Sequence, residues 1–235
     1  MVYEYSLLIG PSKIHVKTDR NEAIPEAIKK IKHHIMELSE YLRKNPLLKY
    51  SLEPIDVGAK APLIVRRMAE AARVADVGPM ASVAGVIADL CLESLLKMGA
   101  NIAVVEDGGE VSAFTAKENI PISILTGERN LSGRIGFLIT SEESPLGVGT
   151  STGKADRTIS FGEADSVTVV AENAAIADAA ATAICNVTAG VNIKKSIYKA
   201  LERAKSIKGV RGVIIVHNGH VGLTGKLPKI IKIKE

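Results

Sequence analysis

The 235-residue sequence lacks Trp, and its three Phe and five Tyr make up 3% of the chain. Proteins that bind single-stranded nucleic acids without sequence preference stack the bases on aromatic side chains. The scarcity of aromatic residues therefore argues against a stacking platform of that kind. Apolar residues still account for 46% of the chain, which is enough to build the core of one large domain.

Long apolar runs and abundant cysteine are also missing. The longest nearly apolar run, from Ala174 to Cys185, contains Asp178 and is far shorter than the ~20 residues of a membrane-spanning helix. The N-terminal residues include Glu4 and form no basic region, so the sequence predicts no secretory signal. We therefore expect a cytoplasmic protein that does not bind a membrane. Cys91 and Cys185 lie in apolar helical patterns, which is typical of buried thiols.

Charge is distributed unevenly along the chain. Residues 192–235 hold eleven Lys or Arg and two Asp or Glu, whereas residues 76–190 hold fifteen acidic and six basic residues. The central part should attract cations and the C-terminal part anions. Apolar residues from Ile193 to Ile207 recur at helical spacing, so the lysines there are explained as the solvated face of a helix. We expect no binding of nucleic acid by this segment.

The pattern of apolar residues predicts an α+β fold with a largely antiparallel sheet packed against helices. No segment is polar enough to act as a linker, so residues 1–235 are predicted to form a single domain. Ser82 and Asn173 are predicted N-caps of two helices. The predicted helices span residues 22–44, 61–76, 82–99, 174–185 and 192–207; the predicted strands span 2–9, 12–18, 121–127, 133–140, 166–172, 211–219 and 229–234, with a hairpin over 101–114 and a long loop over 141–156.

Part of the predicted loop is rich in glycine and hydroxyl groups. A nucleotide-binding P-loop would require a different glycine spacing and a hydroxyl residue at Ala155, so the sequence excludes that motif. The hydroxyl groups of Thr150, Ser151 and Thr152 and the amide of Gly153 are instead suited to phosphate or ribose oxygens. An ordinary surface loop is the alternative interpretation.

Asp178 and Thr182 are four residues apart in an Ala-rich predicted helix and therefore share one face. An isolated carboxylate in such a helix must be paired, lie at the surface or bind a cation, because burying it alone is costly. A carboxylate beside a hydroxyl suits Mg²⁺. A salt-bridged Asp178 in a close-packed helix remains the alternative.

Two further segments are weaker candidates for a site. Residues 76–85 lead from a Gly-Pro loop into a predicted helix, whose free amides can face an anion. Residues 106–110 contain the turn Asp107-Gly108-Gly109, which is equally well explained as a hairpin turn.

Taken in order, these segments resemble the ApbE-like superfamily, whose better-known members are FAD:protein FMN transferases. The segments are "DVGPMASVAGVI" from Asp76, "EDGGE" from Glu106, "GTSTG" from Gly149 and "SVTVVAENAAIADAAATAIC" from Ser166. The last segment matches the family over about twenty residues, including the D-x-x-x-T pair. The resemblance implies a T-fold-like architecture, FAD as cofactor and Mg²⁺ held by Asp178, Thr182 and the carbonyl of Ala81. By the same resemblance Ser82, the Asp107-Gly108-Gly109 turn and residues 150–153 would bind the nucleotide.

The sequence also departs from the family pattern. Ser82 replaces the Lys of the family's helix entry, Ile87 replaces its Asp, and the flavin-contacting segment "SHIIDPRTG" is absent. With these departures, the sequence resembles the cytoplasmic, largely archaeal branch of the superfamily. That branch is associated with sulfur assimilation and homocysteine formation.

Two hypotheses of different classes follow. The chain is either a Mg²⁺-dependent transferase that binds a flavin or another nucleotide diphosphate, or a non-catalytic accessory protein of sulfur assimilation that keeps the fold. The first predicts a small anionic ligand as partner, and the second adds a protein partner. The Ala-rich helix and the apolar strands also predict a homo-oligomer. No residue is assigned a catalytic role from the sequence.

Overall fold

A computed structural model describes residues 1–126, 132–154 and 160–233. The predicted segments that reach residues 127, 155, 156 and 234 extend beyond this part of the chain. The strands are β1 (Tyr3–Ile9), β2 (Ser12–Thr18), β3 (Ile102–Asp107), β4 (Glu110–Thr115), β5 (Ile120–Ser123), β6 (Ile135–Ile139), β7 (Leu146–Ser151), β8 (Ser166–Ala171), β9 (Val210–His217), β10 (His220–Gly225) and β11 (Lys229–Lys232). The α-helices are α1 (Ile24–Lys44), α2 (Pro46–Tyr50), α3 (Leu63–Ala75), α4 (Val83–Lys97), α5 (Ala174–Asn186) and α6 (Ile193–Ser206).

The strands form two antiparallel sheets. Eight of them follow the order β1-β2-β3-β4-β7-β8-β9-β10, and β11-β6-β5 form a smaller sheet. Alternate residues of the large sheet point to opposite faces. On β8, Val167 and Val169 belong to the core shared with the helices, whereas Val170 packs with Phe137 of the small sheet. The α+β prediction is therefore confirmed, with helices on one face and the small sheet on the other.

The predicted loop over residues 141–156 is wrong in its centre, which forms the buried strand β7. Its sequence, LGVGTS, has two glycines and weak strand propensity. The glycines are required by packing, because a Cβ on Gly149 would lie 2.6 Å from the backbone of Ala177 and Asp178 on α5. Helix α2 and strand β10 were also not predicted; β10 has the sequence HVGLTG, with two glycines that likewise weaken its strand pattern.

The longest apolar helical segment is not 174–185 but 79–97, which combines a 3₁₀ turn (Pro79–Ser82) with α4. By length and composition alone this segment could cross a membrane. In the fold, 67% of its most apolar window is buried, as in the core helix of a globular protein. Its length is explained by packing against α1, α5 and β3.

Candidate functional site

A cleft of about 460 Å³ opens beside α5 and the ends of β4 and β7. Its volume lies in the range of ligand-binding pockets. The cleft brings together Ala81, Gly108, Thr150, Ser151, Asp178 and Thr182, which come from four of the sequence segments singled out above. The other lining residues are Lys49, Tyr50, Ser51, Leu52, Val77, Gly78, Met80, Val83, Ala84, Glu110, Phe161 and Asn186.

The start of α5 is held firmly, and this places Asp178 and Thr182 at the cleft. The side chain of Asn173 accepts a hydrogen bond from the amide of Ile176 at 2.9 Å, as its predicted N-cap role requires. The buried carboxylate of Asp89 accepts hydrogen bonds from the amides of Ala174 (3.0 Å) and Ala175 (2.9 Å). Together these bonds satisfy the first-turn amides of α5, so that end of the helix is not available to an anion.

Asp178 has a matching role at the start of α4. Its Oδ2 atom accepts a hydrogen bond from the amide of Gly85 at 3.0 Å, in the first turn of α4. Thus α4 supplies Asp89 to cap α5, and α5 supplies Asp178 to cap α4. The alternative of a salt-bridged Asp178 does not hold, because no Lys, Arg or His within the described residues forms an ion pair with it.

Burial, with smaller contributions from the nearby carboxylates of Asp107 and Asp89, raises the pKa of Asp178 to about 7, although the hydrogen bonds from the amides of Gly85 and Ala84 act in the opposite direction. Glu110 is 8% exposed and lines the same cleft. Burial raises the pKa of Glu110 well above its usual range, and the charge of Asp178 adds to this effect. Ionising both carboxylates costs free energy because their negative charges repel each other, unless a cation lies between them.

The raised pKa of Asp178 predicts a pH-dependent stability. An unfolded Asp loses its proton near pH 3.8, whereas the folded protein holds it up to about pH 7. The folded state therefore binds more protons between these values, so the free energy of unfolding should fall as the pH rises through this window. Urea denaturation at several pH values in EDTA should show this fall, and Asp178→Asn should flatten it. Identical pH profiles for the two proteins would contradict the assignment.

Several predicted nucleotide-binding residues do not line the cleft. Ser82 is fully buried, and its hydroxyl donates to the carbonyls of Pro79 (3.0 Å) and Met68 (3.3 Å). Ser82 occupies the N-cap position of α4, as predicted, but its side chain makes no capping hydrogen bond; Asp178 accepts the hydrogen bond of a first-turn amide instead. The hydroxyl of Ser82 therefore does not face a ligand. It fastens the turn that precedes α4 to helix α3.

Asp107 does not line the cleft either. It is 2% exposed, burial raises its pKa, and the hydroxyl of Ser12 and the amide of Lys13 hydrogen-bond to it. Its Oδ2 atom has no hydrogen-bond partner within the described part of the chain. Gly109 donates its amide to Glu106 at 2.7 Å, which fixes the turn. Of this turn only Gly108 reaches the cleft.

Residues 152 and 153 pack against the segment before β8. The Thr152 hydroxyl donates to the carbonyl of Ala164 at 3.4 Å, and the Gly153 amide donates to the same carbonyl at 3.0 Å. A Cβ on Gly153 would lie 2.0 Å from the carbonyl oxygen of Gly162. Thr150, by contrast, lines the cleft and shares a 3.1 Å hydrogen bond with Thr168. The cofactor role of these residues stays a prediction.

Sequence reasoning missed Glu110 and the residues of 49–52. Glu110 closes the "EDGGE" turn, and its only signal was an acidic residue at the start of a strand. Tyr50 is the last residue of the short helix α2 and Leu52 follows that helix; neither belongs to a motif. All three are recognisable as cleft residues only because the fold brings α2 and β4 to the same end of α5.

The donor set of the cleft suits a hard cation. Nowhere in ranges 1–126, 132–154 and 160–233 do three His, Cys, Asp or Glu side chains form a metal-binding group. A metal at Asp178 would therefore be held by a carboxylate, the Thr182 hydroxyl and the Ala81 carbonyl, with oxygens of a ligand completing the shell. Mg²⁺ prefers oxygen ligands of this kind and few protein carboxylates.

A second cavity, of about 490 Å³, lies between α3, α4 and the start of α5. None of the metal or nucleotide residues predicted from the sequence lines it. Two of its charged residues, Arg67 and Glu93, form a two-pronged ion pair with each other. The first cleft is therefore the better candidate for the site.

The chain is similar in sequence to a known protein family. The family model described as AbpE bacteria matches residues 3–223. The chain belongs to this family. Its relatives include UPF0280 protein MJ1526 of Methanocaldococcus jannaschii, 39% identical over 99% of this chain and 94% of the relative, and a UPF0280 protein of Methanothermobacter thermautotrophicus, 40% identical over 96% and 86%.

Solved ApbE structures share the fold of this AbpE-family chain. The flavin transferase ApbE from Vibrio cholerae has a TM-score of 0.54 at 12% identity and covers 96% of this chain and 97% of its own. The apo flavinyl transferase ApbE of Pseudomonas stutzeri has a TM-score of 0.56 at 14% identity, covering 96% and 94%. At such low identity the likeness concerns the fold alone, and it confirms the resemblance seen in the sequence motifs.

Proposed function

We propose that the cleft binds a nucleotide diphosphate, with FAD as the first candidate, together with Mg²⁺. The observation that carries this proposal is a pair of carboxylates, the half-buried Asp178 and the buried Glu110, which face one cleft beside the hydroxyl of Thr182. Such a pair requires a proton or a cation. The solved neighbours with this fold are flavin transferases, which supports FAD as the nucleotide.

Charge supports the metal. Of the residues described around the cleft, Lys49 is the one with a positive side chain. A pyrophosphate placed beside Asp178 and Glu110 would be repelled unless a cation lay between them. Asp178, Thr182 and the Ala81 carbonyl would hold Mg²⁺ at this position, with Thr150 and Ser151 available to hydrogen-bond phosphate or ribose oxygens.

We propose FMN transfer in the cytoplasm as the reaction. A hydroxyl oxygen of the acceptor attacks the phosphorus of the FMN half of FAD, the P–O bond to the AMP half breaks, and AMP leaves. The proton of the acceptor hydroxyl passes to Glu110, whose raised pKa suits a general base at neutral pH. When bound, Mg²⁺ would neutralise charge on the pyrophosphate and polarise the P–O bond that breaks.

Thr182 provides a direct test of the metal set. Thr182→Val removes the hydroxyl with little change in shape and should weaken Mg²⁺-dependent FAD binding by about tenfold or more, measured by titration calorimetry. Thr182→Ser keeps the hydroxyl and should retain near wild-type affinity. Equal affinities for the Val and Ser variants would remove Thr182 from the metal set.

The accessory hypothesis is favoured by a different observation, the absence of the family's "SHIIDPRTG" segment. A protein that keeps the fold without these contacts could bind a protein partner of sulfur assimilation without transferring FMN. Thermal unfolding with Mg²⁺ and FAD, FMN or ATP separates the two hypotheses. Stabilisation by FAD with release of AMP supports transfer, whereas a colourless protein that none of the three nucleotides stabilises supports the accessory role.

A further inference from the structure

Strand β10 is one of the two edge strands of the eight-stranded sheet, unpaired on its outer side by any strand in the described part of the chain, and it carries exposed aliphatic side chains. Val221 and Leu223 are 51% and 50% exposed. A Cβ on Gly222 would lie 2.3 Å from Ile197 of α6, so the face with Gly222 is covered by the helix. Val221 and Leu223 therefore point to the opposite face, next to Val216 and Ile214, with which they are paired and which are buried.

The other described sheet edges carry the features that prevent edge-to-edge association. Strand β1 has Glu4, which is paired with Lys17 at 2.7 Å; β11 has Lys229 and Lys232; and β5 has Pro121. Charged residues and proline are the usual protection of a free edge. The sequence of β10, HVGLTG, has no Lys, Arg, Asp, Glu or Pro. An unprotected edge with aliphatic side chains is expected to be covered.

The sequence of β10 also matches itself. In an antiparallel pairing centred on Gly222, Val221 lies opposite Leu223 of the second copy and Leu223 opposite its Val221, so aliphatic residues meet on one face. We propose that β10 pairs with β10 of a second copy of this chain about a two-fold axis at Gly222. Such an interface is isologous and closes at a dimer, and the two sheets become one.

Helix α6 covers the other face of the same sheet edge, the face on which Gly222 lies. Leu201 lies beside Gly222. Tyr198, three residues earlier, is on the same flank of α6 as Leu201 and is 65% exposed. Tyr198 can therefore add apolar contact area to that of a six-residue strand. Lys194 lies on this flank as well, so two α6 helices repel one another, and association should strengthen as salt screens the repulsion.

Sedimentation equilibrium of the full chain and three variants tests the proposal. Wild type should be a dimer. In V221K/L223K like charges lie opposite each other, and the dissociation constant should rise by roughly 100-fold. In V221E/L223K each substituted position lies opposite the other charge, so at low salt dimerisation should recover by about tenfold or more relative to V221K/L223K. L8K, on the exposed Leu8 of edge strand β1, should dimerise like wild type.

Several results would overturn this interface. A wild-type chain that is monomeric at millimolar concentration has no such dimer. Dimers that persist in V221K/L223K, or that L8K dissociates, use another surface. Failure of V221E/L223K to recover dimerisation, with all variants showing the circular dichroism of wild type, would contradict the register at Gly222.

Discussion

Replacing Asp178 by Asn should abolish the Mg²⁺-dependent binding of FAD, with a loss in affinity of roughly 100-fold or more. The substitution removes the one carboxylate of the proposed metal set and keeps an oxygen that can accept the hydrogen bond of Gly85. Titration calorimetry in Mg²⁺ and in EDTA measures the effect. In EDTA the variant should bind FAD at least as tightly as wild type, since the metal-dependent part is missing from both and the repelling charge of Asp178 is missing from the variant.

Asp89→Asn is the matched control, because Asp89 caps α5 as Asp178 caps α4. Asp89 lines the second cavity and not the candidate site. Its replacement places an amide group against the amides of Ala174 and Ala175 and should cost about 1–3 kcal/mol of stability, yet Mg²⁺-dependent binding should persist below the melting temperature. Loss of binding in both variants to the same degree would indicate a structural effect and would contradict a metal role for Asp178.

Gly147→Ala should produce a large loss of stability, about 3 kcal/mol or more. A Cβ at this position would lie 2.1 Å from the amide nitrogen of Ala174 and from the carbonyl carbon of Asn173. Both are backbone atoms at the capped start of α5, so they cannot yield as a flexible side chain would. Either β7 or α5 must shift, which would also displace Asp178 and Thr182.

Gly10→Ala provides the comparison for this packing effect. Gly10 has φ +57° in the β1–β2 turn, and a Cβ there meets no atom within 4 Å. Its replacement should cost only the conformational strain of a left-handed residue, about 1–2 kcal/mol. Urea denaturation of both variants gives the difference. A loss for Gly147→Ala no larger than that for Gly10→Ala would mean that the close approach of β7 and α5 is not required.

Local patterns in the sequence determined most of the secondary structure. The spacing of apolar residues predicted α1, α3, α4, α5 and α6 to within a few residues, because amphipathic periodicity reflects burial along one face of a helix. Asn173 was recognisable as a cap, and the four-residue spacing of Asp178 and Thr182 placed both on one face of α5. These properties depend on neighbours within one or two turns, which the sequence displays directly.

Only the tertiary structure decided which of the candidate residues share a site. Ser82 and Asp107 occur in the matching motifs, yet they form hydrogen bonds with α3 and β2 and do not line the cleft, whereas Glu110 does. Strand β7 was hidden because its glycines, which weaken strand propensity, are there for contact with α5. The reciprocal capping by Asp89 and Asp178 joins residues more than eighty positions apart. Long-range packing sets burial, side-chain direction and pKa, and no local pattern encodes them.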